Sequence, residues 1–409
     1  MSDHDRPPAI VVGRDQTGLG MLRCLHAAGI PAYVACPRGS LITHSRWYRP
    51  TPGSTAWDGD PSPLADQILC EMPLHRAVLI TGRDDAALWA ADVPFGPLSN
   101  RFLVSSSSRE TLETMQSKAR FGEFLGRTHI PHPRTFTIRT TADIEHVPFG
   151  ELDRVFIKPV DSQKFVRITG VKGIWVRDRS EFERIWEKLE ARSLHVIAQE
   201  YVPGEPSDHY FIDGFRDRHG VLTGLFARRR LRIYPPHFGN SSYCTSIPLG
   251  EIAEARDHLH ELLQLLRYRG IFSAEFKRDS RDGKLRILEI NTRAWWYVEF
   301  AARCGVNVCR MAYEDALGSQ VTRAPARYAT GVGCTQLSRD IRAVLKRSQG
   351  QRISLHRAVA QWYRGYFSAF RLDDPLPGLW TMWKEASNVV RNFVTGYGRK
   401  RSAPASRIS

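Results

Sequence analysis

IFSAEFKRDSRDGKLRILEINTR, residues 271–293, is the stretch on which the fold turns. Two runs rich in β-formers, 271–277 and 284–291, flank Asp282-Gly283 and its polar neighbours, which is the chemistry of a β-hairpin. Pairing symmetric about 282 sets Glu275 opposite Glu289 and Ser273 opposite Asn291. A period of two then places Glu289, Asn291 and Arg293 on one face, with Leu288 and Ile290 on the other. Like charges directly opposed destabilise a ladder unless a cation lies between them. Magnesium suits such a pair, because it takes a few hard oxygens from protein and fills its remaining positions with water and phosphate. The plainer alternative is a solvated hairpin whose carboxylates are screened by Lys277 and Arg293.

Upstream, VFIKPV (155–160) sets Lys158 inside an apolar strand, and Lys118 opens a short amphipathic helix within 117–133 that turns Phe121, Phe124 and Leu125 inward. Two lysines can grip nucleotide phosphates as point charges where no P-loop exists, and no G-x-x-x-x-G-K-S/T occurs. HVIAQEYVPGEPSD (195–208) supplies an edge strand with Gln199, Glu200, Tyr201 and Val202, followed by Gly204 and the acids Glu205 and Asp208. Such a segment can hydrogen-bond an adenine through its backbone and a ribose through a later carboxylate, although each piece alone is ordinary. Further strand-like runs at 172–178, 209–215 and 224–234, with helices at 180–192 and 251–269, read as an α+β domain reaching about residue 320. Before it, AIVVG (9–13), AYVAC (32–36) and AVLITG (77–82) alternate with helices, the pattern of a small parallel α/β layer. The turn after the first strand, G-R-D-Q-T-G-L-G, is not a G-x-G-x-x-G fingerprint, so a dinucleotide site has weak support.

The order of these parts resembles the ATP-grasp superfamily of ligases over about residues 9–320. The pieces KPVDSQKF…GVKG, FARRRLRIYPPHFGN and the tail around DDPLP are most similar to its carboxylate–amine ligases of the D-aspartate ligase type. The resemblance implies an α/β, Rossmann-like pre-ATP-grasp domain at 1–112 and an α+β ATP-grasp domain at 113–320; after them, 321–409 reads as a basic, amphipathic helical extension with a disordered tail. The resemblance assigns Lys118, Lys158, Gly170 and Lys172 to ATP phosphates, and Gln199, Glu200, Tyr201 and Val202 to the adenine. Asp208, and less directly Glu205, would hold the ribose. Glu275, Glu289 and Asn291 would hold Mg2+, or Mn2+ in its place, with Arg293 beside the γ-phosphate. The 161–173 loop departs from the glycine-rich form of many members. The implied reaction is ADP-forming joining of a small-molecule or cell-envelope-precursor carboxylate to an amine or thiol through an acyl phosphate. Such phosphoryl transfer needs positioning and cationic stabilisation more than a protein nucleophile. Arg228, Arg230 and Arg232 share one face of ARRRLRIYPP and could hold the acyl phosphate, or could belong to a solvated basic edge strand. His237, Gly239 and Asn240 follow as a substrate loop.

Composition sets the frame for this reading. The 409 residues are 42% hydrophobic and 25% charged, which excludes a disordered, collagen-like or coiled-coil chain. The seven cysteines are scattered and form no C-x-x-C pair, so neither a zinc site nor a disulfide framework is indicated. A signal-peptide pattern and an 18-residue apolar run are both missing, so the expectation is a cytoplasmic protein that does not span a membrane. The formal charge is +15, and residues 339–409 carry +10 of it, with fourteen Lys or Arg against four Asp or Glu. Leu355, Ala358, Val359, Trp362, Tyr363, Tyr366, Phe367 and Phe370 repeat at helical spacing, and a second amphipathic segment holds Leu379, Trp380, Met382, Trp383, Ala386, Val390 and Phe393. These helices either dock on the protein body or lie on an anionic membrane surface at its inner face. A nucleic-acid role is not expected, since no DNA or RNA motif accompanies the charge. A catalytically silent ATP-binding scaffold is the other alternative, and a homodimer is in keeping with the resemblance.

Overall fold

The computed structural model describes residues 6–152, 154–159, 165, 168, 171, 173–236, 239–346 and 351–394. They form two compact units, each discontinuous in sequence: Met1–Glu113, Glu205–Phe276 and Ile290–Glu385 make the first, and Thr114–Gly204, Lys277–Glu289 and Ala386–Ser409 the second. A break after Glu113 falls within one residue of the expected one, whereas none falls at 320. The strands of the quoted hairpin divide between the units, and 321–385 belongs with the first.

The N-terminal part of the first unit runs β1 (Ala9–Val12), α1 (Asp15–Ala27), β2 (Ala32–Ala35), β3 (Ala77–Thr81), α2 (Asp84–Asp92) and β4 (Phe102–Val104), with a parallel sheet ordered β2-β1-β3-β4. Strand β1 is buried throughout, as a strand covered on both faces must be. Its side chains alternate between cores, Val11 packing with Leu19 and Leu22 of α1, and Ile10 and Val12 packing with Trp57 and Leu69. The turn between β1 and α1 is closed by glycines, since a Cβ on Gly18 would lie 2.9 Å from the Gly13 carbonyl carbon.

The second unit holds α3 (Lys118–Leu125), β5 (Thr135–Ile138), β6 (Val155–Pro159), β7 (Ile174–Val176), α4 (Arg179–Glu190) and β8 (Val196–Glu200). Its antiparallel sheet is ordered β5-β8-β6-β7. Phe182, Ile185, Trp186 and Leu189 at helical spacing turn α4 onto Val155, Ile157, Val196 and Ala198 of this sheet. Strand β8 is interior, with β5 and β6 on its two sides, and so is not the edge strand expected from sequence.

Further along the chain, β9 (His209–Arg216), β10 (Leu222–Tyr234), β11 (Asn240–Ile247), α5 (Ala253–Leu265), β12 (Gly270–Arg278), β13 (Leu285–Asn291), α6 (Val298–Arg303), β14 (Gly333–Thr335), α7 (Leu337–Lys346), α8 (Leu355–Arg364), β15 (Tyr366–Phe367) and α9 (Leu376–Val394) follow. Seven strands form one sheet in the order β13-β12-β9-β10-β11-β14-β15. The long β10 therefore lies near its middle. The expected helix through 355–370 stops at Arg364, because Tyr366 and Phe367 pair with Cys334 and Thr335 as a last strand. Gly365 permits this, since a Cβ there would meet Gly333 O at 3.0 Å. The C-terminal region accordingly combines helices with two sheet strands.

Candidate active site

Alternation along β10 turns Arg228, Arg230 and Arg232 inward, and all three are buried. A buried guanidinium requires a paired carboxylate and satisfied hydrogen bonds. Arg228 Nε donates to Asp213 Oδ2 at 2.7 Å and Arg230 Nη2 to Glu275 Oε1 at 3.1 Å. Arg232 grips Asp340 with two donors, at 2.9 and 2.7 Å. Aromatic faces add cation–π contacts, with Arg228 3.8 Å from the Phe211 centroid and Arg232 4.5 Å from that of Tyr243. The solvated basic edge is thus corrected: the strand is interior and its inward arginines are neutralised one by one.

The three carboxylates differ in one respect that bears on chemistry. Asp213 and Asp340 are wholly buried, whereas the Glu275 side chain is 17% exposed. Its Oε1 also lies 2.8 Å from Nδ1 of His209. Burial alone would raise the Glu275 carboxyl, but the Arg230 charge, the His209 hydrogen bond and charge, and Arg228 outweigh it and hold the group down at about 2. Glu275 is therefore ionised at neutral pH.

The oxygens expected around a divalent cation are those of Glu275, Glu289 and Asn291. Glu289 is exposed on β13, and half-buried Asn291 accepts from Arg293 Nη2 at 3.4 Å. Among the described residues no three or more His, Cys, Asp or Glu side chains gather into a metal cluster. Two carboxylates and an amide oxygen fit a hard ion such as magnesium, which draws its remaining ligands from water and phosphate. Lys277 and Arg293, the cations expected beside these carboxylates, also make other contacts. Lys277 Nζ donates to Val202 O at 2.6 Å and sits 4.6 Å from the Tyr201 ring centre, while Arg293 Nε pairs with Asp84 at the start of α2 at 2.9 Å.

In the second unit, β6 and β8 pair with Phe156 opposite Gln199, so Lys158 and Gln199 share a face. Lys158 Nζ donates to Gln199 Oε1 at 2.6 Å, joining two expected nucleotide contacts. Beyond β8 the chain is fastened, Tyr201 N–H donating to Arg154 O at 3.0 Å. The Glu200 carboxylate accepts from Arg134 N–H at 3.0 Å and from Arg281 Nη2 at 2.6 Å. Arg281 and Arg286 also clamp Asp279. Burial would raise that carboxyl, but the guanidinium hydrogen bonds outweigh it and hold it well below the carboxylate range. The 199–203 strap is in this way bolted to the turn of the quoted hairpin.

Asp208 caps a single 3-10 turn, Pro206–Asp208, its Oδ2 accepting from Glu205 N–H at 2.7 Å. Lys118 is the half-buried first residue of α3, which Ser117 caps. Asn240 opens β11 opposite Tyr234, and Gly239 is required there, since a Cβ would lie 2.3 Å from Pro235 O. Gly170, Lys172 and His237 lie outside the described residues. Sequence reasoning missed His209, Asp213, Asp279 and Arg281. The last two stand in the quoted turn, where alternating acids and arginines were a usable signal; His209 and Asp213 meet β12 only through sheet pairing.

A parallel N-terminal sheet, a small antiparallel sheet and a larger sheet bearing the Glu275–Asn291 hairpin are the parts of the ATP-grasp fold. Solved structures with this fold align with most of the chain. The biotin carboxylase domain of 2-oxoglutarate carboxylase from Hydrogenobacter thermophilus, in complex with magnesium ADP, ADP and bicarbonate, has a TM-score of 0.59 at 14% identity, covering 80% of this chain and 73% of its own. N5-carboxyaminoimidazole synthetase from Staphylococcus aureus has a TM-score of 0.59 at 11% identity, covering 80% and 81%. In sequence, the chain is 23% identical over 230 residues to a D-aspartate ligase from Enterococcus faecium, a match that spans 53% of each. The chain thus spans about half the length of the curated relative it matches. No protein-family profile matches it.

Proposed function

We propose that the chain is an ATP-dependent, ADP-forming carboxylate–amine (or carboxylate–thiol) ligase acting through an acyl phosphate on a small-molecule or cell-envelope-precursor carboxylate. The observation that carries this reading is Glu275, which of the three carboxylates on the β10 arginines is the one that reaches solvent, and does so ionised. The likeness to a D-aspartate ligase supports the carboxylate–amine class.

In this reading Glu275, Glu289 and Asn291 hold magnesium, which when bound neutralises charge on the phosphates. Lys118 and Lys158, with Gly170 and Lys172, hold the phosphates; the 199–202 strap holds the adenine, and Asp208 or Glu205 the ribose. A substrate carboxylate oxygen attacks the γ-phosphorus, the bond to the bridging oxygen breaks, and ADP leaves. An amine nitrogen then attacks the acyl carbon, the bond to phosphate breaks, and the nitrogen gives up a proton as the amide forms. Arg293 and Arg230 stabilise the charge that develops, while Arg228 and Arg232 position the strand that carries Arg230. Gly239 and Asn240, with His237, border the acceptor substrate.

The test is a screen of ADP release over amino acids, peptides and envelope-precursor carboxylates paired with amines, with product masses recorded. The expected result is release that depends on magnesium and ATP for at least one pair and is lost in Glu289→Ala. ATP binding with no release for any pair would instead mark a silent scaffold.

A further inference from the structure

We propose that the outward face of the helices between 337 and 385 docks on an anionic lipid bilayer. The helices concerned belong to the first unit and are tied together. Trp362 Nε1 of α8 donates to Asp340 of α7 at 2.7 Å, and Arg342 of α7 reaches Glu385 of α9 at 3.5 Å. On α8, Ala358 and Trp362 turn toward the protein, whereas Leu355, Val359 and Tyr363, one turn apart, are exposed, Tyr363 to 90%. Leu345 on α7, and Leu379 and Trp383 on α9, are exposed as well. Scattered apolar side chains on a surface are ordinary, but a concentration on neighbouring helices marks an interaction surface.

Charge selects the occupant. The four acidic residues between 339 and 409 all turn to internal partners: Asp340 to Arg232, Asp374 to Arg23, Asp373 to Arg371 and Glu385 to Arg342. Lys346, Arg352, Arg357, Arg364 and Lys384 are exposed beside the apolar residues. In an isologous contact with a second copy this face would meet itself, cation against cation. An anionic bilayer supplies the opposite charge in its headgroups and an apolar boundary beneath them, and it accommodates aromatic rings such as those of Tyr363 and Trp383 at headgroup depth. Among the described residues no helix is long and apolar enough to cross a membrane, so the contact is interfacial.

The experiment is flotation of the full chain with phosphatidylcholine vesicles with and without phosphatidylglycerol, at low and high salt. The chain is expected to float with the phosphatidylglycerol vesicles at low salt and not with phosphatidylcholine alone. Tyr363→Ser combined with Trp383→Ser should lower the bound fraction at least about tenfold, as should Arg357→Glu with Arg364→Glu, since both contributions are needed. Thermal unfolding of both variants should match the parent, because the altered side chains are exposed. The proposal is overturned by an absence of flotation. It is also overturned if Tyr363→Ser with Trp383→Ser leaves binding unchanged, or if that variant dissociates a dimer seen by sedimentation equilibrium without vesicles.

Discussion

Strand β10 and the helices between 337 and 385 are two regions of one compact unit that invert the ordinary distribution of side chains in opposite senses. β10 buries three arginines; the helices expose aliphatic and aromatic groups. The strand can do so because carboxylates 15, 45 and 108 residues away are brought to it by β9, β12 and α7. Among the described residues, the apolar side chains of the outward face stay exposed. Burial of charge is settled internally, by pairing, while exposure of apolar surface points outward. A buried charge therefore informs about the fold, and an exposed apolar stripe about what the fold meets.

The largest way to break this contrast is to remove one internal partner. Asp340→Ala leaves Arg232 buried without its carboxylate, and should lower stability by about 3–5 kcal/mol in urea unfolding. Replacing both residues by Leu should recover most of that loss. If the double variant is as unstable as the single one, packing rather than charge pairing governs the strand.

Next in size is acid sensitivity at Glu275. Its folded carboxyl sits at about 2 against an ordinary 4.5, so its contribution is complete above the ordinary value and is lost as pH falls toward the folded one. The parent should therefore lose about 3 kcal/mol between roughly pH 5 and pH 2 that Glu275→Gln does not lose, as read from denaturant unfolding across pH. Identical pH slopes would mean that the Arg230 and His209 contacts do not hold the carboxylate.

A smaller effect belongs to the strap. Lys277→Met removes the donor to the Val202 carbonyl and should cost about 1–3 kcal/mol, checked by thermal unfolding. Smallest is Leu355→Ser on the exposed face of α8, expected within about 0.5 kcal/mol of the parent by the same measurement. A loss of several kcal/mol there would show that the face is covered from within.

Much of the frame was legible one segment at a time. The alternating runs at 271–277 and 284–291 became β12 and β13, VFIKPV became β6, and the periodicity of 180–192 became α4. Lys158 and Gln199, both singled out for a nucleotide, do meet. Strand β11 escaped notice because NSSYCTSI has little apolar alternation and gains its place by pairing with β10 and β14. The helical spacing of 355–370 misled for a related reason, since a two-residue strand at the sheet edge interrupts it after Gly365. For the candidate site, residue types were readable but partners were not. ARRRLRIYPP reads as a site-lining triad or as a solvated edge, and only sheet order and distant carboxylates distinguish Arg230 from its neighbours.

Sequence by itself determined what is set by local chemistry: strand and helix periods, the Asp-Gly hairpin turn, glycines at close approaches and the concentration of positive charge after residue 339. Tertiary structure alone decided which cation faces which anion, that β8 is interior, that Lys277 fastens the strap, and that Leu355, Val359 and Tyr363 face outward. The physical reason is range. Backbone preferences act over a few residues, whereas desolvation and ion pairing depend on what else arrives at the same place, and sequence separation does not specify that.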